Sequence, residues 1–265
     1  PRMRCRVALI GLVLLGQVLH AQELQVDTIR TVRPWGRPEV YTFPHVVMPQ
    51  RPGIAAAINK DLCVDLLEAD PDTTLPGQLF SQVWGDTVTG WMPRLNSITW
   101  TTSRPFLNVF TVAFEAEGCG AYCEGFSTFR SYDLRSGRRL DFDSLLTPEG
   151  AYVVFDSLDH RWRRTVEAQI HFLEDTLRTP GMAPEYVDWG REALELYRSC
   201  LEDRPEGQPY VGDIEPLKEG LRCWVARCSV HANRSVDDLD AVPLDLAYSW
   251  LGPHLRPEWH GLFTR

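Results

Sequence analysis

The stretch Ile98-Thr99-Trp100-Thr101-Thr102-Ser103-Arg104-Pro105-Phe106-Leu107-Asn108-Val109-Phe110-Thr111-Val112-Ala113-Phe114 decides the fold class. Ile98, Trp100 and Thr102 alternate with polar neighbours, Ser103-Arg104-Pro105 breaks the run, and Phe110, Val112 and Phe114 alternate again. Successive side chains of a strand point to opposite faces, so this period of two predicts two adjacent antiparallel strands, each half buried. Downstream, Phe126, Thr128, Arg130, Tyr132 and Leu134 share one face of a third strand, which Arg135-Ser136-Gly137-Arg138 turns into Leu140 and Phe142. A meander of at least three strands is the expected assembly.

On either side the period changes. Leu158, Trp162, Val166, Ile170, Leu173 and Leu177 form a stripe at four- and three-residue steps, predicting a long amphipathic helix that Asp156 or Ser157 caps and Thr179-Pro180-Gly181 ends. Ile54, Ile58, Leu62 and Leu66 make a shorter stripe with Cys63 on its flank, and a further helix is expected from about Arg191 to Cys200. A last strand is expected from Leu221 to His231, with Trp224, Ala226, Cys228 and Val230 on its apolar face, before Val242-Pro243-Leu244 leads into a closing helix around Leu246, Ala247 and Trp250. The chain therefore reads as α+β, a mainly antiparallel β-sheet packed against two or three α-helices. The expected organisation is a leader over 1–21, an extended lead-in over 22–43, one α+β unit over 44–252 and a C-terminal tail over 253–265.

The compartment is read from the leader. Arg4 and Arg6 precede an apolar run from Val7 to Val18 that ends at Leu19-His20-Ala21-Gln22, the pattern of a secretory signal peptide cleaved after Ala21. That run is shorter than the roughly 20 apolar residues a membrane span needs, and no later run is longer, so no membrane span is expected. Removing Arg2, Arg4 and Arg6 leaves 24 basic against 36 acidic residues, a formal −12. Such a surface disfavours nucleic acid and steers cationic partners inward. Export to a periplasm or beyond the cell also favours disulfides, and the candidates are Cys63, Cys119, Cys123, Cys200, Cys223 and Cys228. Cys119 and Cys123 can close on each other if the segment is a tight loop, for which Gly118 and Gly120 provide. Cys223 and Cys228 are five apart on an expected strand and so point to opposite faces, which leaves Cys63 and Cys200 as candidate partners.

No sequence pattern for catalysis stands out. A G-x-S-x-G nucleophile motif is absent, and Ser229 with His231 on one strand face does not make a triad. Asp237, Asp238 and Asp240 lack the regular spacing of a calcium loop, and His254, Glu258 and His260 lie in a Pro-rich terminal segment, so neither metal nor cofactor is expected. Asn233-Arg234-Ser235 fits a glycosylation acceptor. Trp35, Trp84, Trp91, Trp189 and Trp259 sit beside Gly, Pro or Asp in expected loops, where exposed rings anchor sugar or protein partners.

Three places carry a family resemblance. Ile58-Asn59 with Leu62 and Leu66 is one; Cys119-Gly120-Ala121-Tyr122-Cys123, followed by Tyr132-Asp133-Leu134-Arg135-Ser136-Gly137 and Leu140 to Leu146, is another; Gly220-Leu221 with the strand to His231 and then Val242-Pro243-Leu244 is the third. Together they resemble the extracytoplasmic domain of unknown function at the C-terminal end of RsiV-type anti-sigma factors, which also occurs beside polysaccharide-deacetylase domains. Tyr122 stands where that family usually has a histidine, and cysteines flank the loop, so the histidine's role does not carry over. The resemblance implies a non-enzymatic binding or sensing module of the cell envelope or exterior, some members of the family recognising lysozyme. The expected partner is an envelope or extracellular protein or a glycan, and the candidate ligand loop is Cys119, Gly120, Ala121, Tyr122 and Cys123. Two other classes stay open: a secreted cell-wall or glycan hydrolase using Asp141, Asp143 or Asp238, and a structural envelope protein without a ligand.

Overall fold

The computed structural model describes residues 24–35, 39–84, 94–119 and 123–263. The leader, Trp91 and residues 120–122 of the candidate loop lie outside them, as does the side chain of His231. The described residues form eight strands in antiparallel sheets together with five α-helices, an α+β fold. No helix among them is long and apolar enough to cross a membrane. Contacts gather the chain into two compact units, Pro1–Arg104 with Phe110–Arg139, and Pro105–Val109 with Leu140–Arg265. From sequence alone the expectation is one unit over 44–252. Periodicity marks which face of an element is buried, but not which core receives it.

The first unit begins with an antiparallel hairpin of β1 (Gln25–Val32) and β2 (Val40–Val47), so the expected lead-in is a paired ribbon. Next comes α1 (Pro52–Leu67), which buries Ala55, Ile58, Leu62, Cys63 and Leu67 and ends at Glu68 in the left-handed region (φ 53°). There the Ala69 N–H returns to the Cys63 carbonyl, satisfying one of the helix's last acceptors. The meander is β3 (Leu95–Phe106), β4 (Val109–Cys119) and β5 (Cys123–Asp133), in that order. Ser103-Arg104-Pro105 does not break β3, because these residues are exposed or half exposed on the strand, where Pro105 and polar side chains are tolerated. Phe43 stacks on Phe114 at 5.6 Å and Phe80 on Trp84 at 6.0 Å in this core. The turn after β5 is closed by Asp133, whose Oδ1 accepts from Arg135 N and whose carbonyl accepts from Gly137 N. Gly137 has φ +75°, and an added Cβ would come within 3.2 Å of the Ile54 carbonyl, so only glycine fits without strain.

In the second unit, α2 (Phe142–Leu145) is one turn, and α3 (Pro148–Leu177) carries the stripe seen in the sequence. Its cap lies nine residues before Asp156, the earlier of the expected caps: Thr147 Oγ1 accepts from Gly150 N and Pro148 opens the helix. Asp156 and Ser157 instead ride its outer and flanking faces. After α4 (Pro184–Asp203), a sheet follows in the order β6 (Val211–Pro216), β7 (Gly220–Val225), β8 (Val242–Ala247). The buried face of β7 is Leu221, Cys223 and Val225, opposite Leu246, Leu244 and Val242, whereas Trp224 is on the other face and Cys228 lies beyond the strand. Both faces carry apolar residues, and the facing β8 side chains select between them. The last helix, α5 (Tyr248–Leu251), starts later than expected because Leu246 and Ala247 pair with β7 as part of β8; it runs into two short turns, and residues 253–263 do not form a loose tail. Leu255, Trp259, Leu262 and Phe263 are buried in this core, and Trp259 Nε1 donates to the Ser144 carbonyl at 2.9 Å.

Candidate functional site

A surface pocket forms in the second unit, where the loop 226–241 between β7 and β8 packs on α4. That helix begins at Pro184, seven residues before the expected start, with Glu185 in its first turn. Its inner face buries Gly190, Ala193, Leu194 and Tyr197. Gly190 permits close packing, since a Cβ there would meet Leu177 Cδ2 at 2.9 Å.

Four sets of bonds fix the loop to the helices. Cys228 is disulfide-bonded to Cys200 of α4, with Cα atoms 5.5 Å apart. The Arg204 guanidinium donates to the Ala226 carbonyl at 3.3 Å and lies 4.0 Å over the Trp162 ring, a cation–π contact that partly offsets its burial. Buried Asp237 accepts from Tyr197 Oη at 2.8 Å, from Ser229 N at 2.9 Å and from Leu239 N at 3.0 Å. Tyr197 Oη in turn accepts from Asp238 N at 2.9 Å, and burial pushes the phenol well above its ordinary value, so it stays a neutral donor. Finally, Trp189 Nε1 donates to the Ser235 carbonyl at 3.3 Å.

The result is an open pocket of about 370 Å³ lined by Glu185, Tyr186 and Trp189 from the helix and Asp238 from the loop. Tyr186 is 64% exposed and Trp189 half buried. Neither carboxylate forms an ion pair among the described residues. A hollow along α4 between Arg191, Arg198, Glu195 and Glu202 is larger but has balanced charge, with Arg198 already paired to Glu174 at 2.6 Å.

The sequence candidates fall in several places. Cys119 and Cys123 are disulfide-bonded with Cα atoms 4.0 Å apart, closing the segment whose middle residues lie outside the described ones. Cys63 and Cys223 are buried free thiols rather than disulfide partners. Each points into a different apolar cluster, and Cys200 is already taken by Cys228. Of the loop tryptophans, Trp84 and Trp259 are core residues, Trp35 lies beneath the Arg33 guanidinium at 5.1 Å, and Trp189 is helical and lines the pocket. Of the aspartates at 237–240, Asp237 is consumed by the loop clamp, Asp240 sits 3.2 Å from Arg234, and Asp238 reaches the pocket. Asp141 and Asp143 are exposed at the start of α2. No group of three His, Cys, Asp or Glu among the described residues is arranged to hold a metal ion. Sequence reading did not identify Glu185, Tyr186 or Tyr197; the three-residue step from Tyr186 to Trp189 was the available signal.

No protein-family model and no curated protein matches the sequence. Six chains of solved structures resemble it, two of them as follows. One is a DUF3298 family protein from Pseudomonas aeruginosa, 12% identical, with a TM-score of 0.51 over 88% of this chain and 94% of that one. The other is a DUF3298 family member from Bacteroides fragilis, 13% identical, with a TM-score of 0.52 over 89% of this chain and 94% of that one. At these identities the likeness concerns the fold, shared along nearly the whole of each chain.

Proposed function

We propose that this chain is an exported, non-catalytic binding module of the cell envelope or exterior, and that it captures a cationic protein of the lysozyme type at the Glu185, Tyr186, Trp189 and Asp238 pocket. The observation that carries this reading is the pair of carboxylates without ion pairs beside two accessible aromatic rings. Carboxylates attract a basic partner at long range, and aromatic faces add short-range contact for its cations. A formal net charge of −9 on the chain favours the same encounter, and two disulfides suit an exported protein.

A second reading, glycan binding, is favoured by the Tyr186 and Trp189 rings, which offer a stacking surface. The pocket lies at the low end of the roughly 300–1,000 Å³ of small-molecule sites, room for one sugar ring. Hydrolysis is the less supported role for the two carboxylates. A glycosidic general acid is kept protonated by desolvation, whereas Glu185 and Asp238 are both exposed.

Titration with hen-type lysozyme at low and at physiological salt tests the proposal. Binding that persists at physiological salt and weakens at least tenfold in the double variant Glu185→Gln, Asp238→Asn is the expected result. Binding that vanishes with salt, or that ignores the double variant, would overturn it. Retention of a glycan with no loss in the charge variant would favour the second reading.

A further inference from the structure

We infer that the pocket reads a single alkylammonium group, so that its element of recognition is one lysine side chain and it also binds free alkylammonium ions. This rests on the binding reading above and names the chemical group that the site takes.

The site is made from two elements with different demands. Glu185, Tyr186 and Trp189 come from the first two turns of α4, and Asp238 comes from the clamped loop. Carboxylates on separate elements suit an ammonium, whose three donors point in different directions, better than a planar guanidinium, which prefers the two parallel oxygens of one carboxylate. The rings supply an apolar wall for a methylene stem and a negative face for its charged end. The pocket's volume of about 370 Å³ leaves room for one such side chain.

One feature opposes a cation here, namely the partial positive charge at the start of a helix. Ala183, at the cap position, contributes no side-chain acceptor, but Glu185 in the first turn places a full negative charge against that half charge. The local field therefore remains favourable to a cation, more so with Asp238 added. The Asp238 main chain is held, its N–H bonded to Tyr197 Oη, so on this side ligand arrival has only the side chain to order.

The probe is n-butylammonium, which reproduces a lysine side chain beyond Cα, with n-butanol and n-butylguanidinium as comparisons. Saturation-transfer NMR on the full chain reports binding, and the indole N–H resonance lost in Trp189→Phe reports its place. Butylammonium should bind weakly, shift that indole resonance, compete with lysozyme, and lose at least tenfold in affinity in the Glu185→Gln, Asp238→Asn variant. Butanol binding equally well, guanidinium binding more tightly, or an unmoved indole resonance would overturn the inference. Lysozyme binding that butylammonium does not displace would sink the lysine site while leaving the broader reading intact. Butylammonium binding without any lysozyme binding would do the reverse.

Discussion

Asn59 of α1 holds Val46 of β2 by both main-chain groups: its Oδ1 accepts from Val46 N and its Nδ2 donates to Val46 O, each at 2.8 Å. Val46 lies opposite Val26 of β1, and its N–H and carbonyl turn away from that partner toward the helix. The side-chain amide thus stands in for a neighbouring strand, and joins α1 to the hairpin at a point where a buried peptide would otherwise lack partners.

Replacing Asn59 with leucine keeps the volume and removes both bonds. Leaving the Val46 N–H and C=O unpaired costs about 1–3 kcal/mol for each group, so Asn59→Leu should destabilise the protein by at least about 2 kcal/mol. Asn59→Asp should rank near it, since a carboxylate opposes the Val46 carbonyl. Urea unfolding of the variants measures this, and a midpoint unchanged from wild type would show that the bonds carry no net stability.

Asp65 produces an acid sensitivity of known sign. Burial alone would raise its pKa, but Arg130 Nε at 2.7 Å and Arg139 Nη1 at 3.0 Å outweigh it and hold the group below its ordinary value of 3.8. A carboxyl depressed in the folded state adds stability above its unfolded pKa and loses it as pH falls through the folded pKa. Asp65→Asn should therefore be less stable than wild type at neutral pH, with the gap closing only below about pH 4. Unfolding free energies measured from pH 7 to pH 2 would contradict this if the gap stayed constant.

Tyr197 Oη meets Asp237 Oδ1, Asp238 N and Leu239 N, so one hydroxyl organises the loop beside the pocket. Tyr197→Phe should cost about 1–3 kcal/mol and speed hydrogen exchange at the Leu239 amide more than at core amides of α3. Equal protection of Leu239 in the variant would place the clamp elsewhere.

The Cys200–Cys228 disulfide spans 28 residues. Chain-entropy reasoning assigns such a closure about 3–4 kcal/mol, and the four-residue span of Cys119–Cys123 less. The Cys200→Ser, Cys228→Ser variant should lower the unfolding midpoint further than Cys119→Ser, Cys123→Ser. It should also weaken binding at the pocket, because the loop that carries Asp238 is tied down by that bond. Thermal melts of both variants, with lysozyme titrations, test the order.

The two free thiols should resist alkylation in the native protein. Burial pushes Cys63 up to about 11 and Cys223 higher still, and only the thiolate reacts readily. Iodoacetamide should label the peptides carrying Cys63 and Cys223 only after denaturation, as read by mass spectrometry. Fast labelling of either in the native protein would mean that its cluster opens.

By itself the sequence determined the class and the elements with a clear period. The stripes of α1 and α3 and the alternation through Ile98 and Phe114 are local patterns, and a helix or strand displays its own period whatever it packs against. The turn at Asp133 and Gly137 was legible for the same reason, being closed by bonds within six residues. Partner choice was decided only in the tertiary structure. β7 carries apolar side chains on both faces, and Leu244 and Leu246 of β8 face the one with Cys223. Trp259 and Phe263 looked like a tail until the second core received them, and Cys63 and Cys223 stay reduced because each faces a different core. The pocket belongs to the same category: Trp189 and Asp238 are 49 positions apart and meet because a disulfide and a buried tyrosine hold the loop against α4. Such contacts between distant segments follow from which surfaces fit and bury together, and no local repeat encodes that fit.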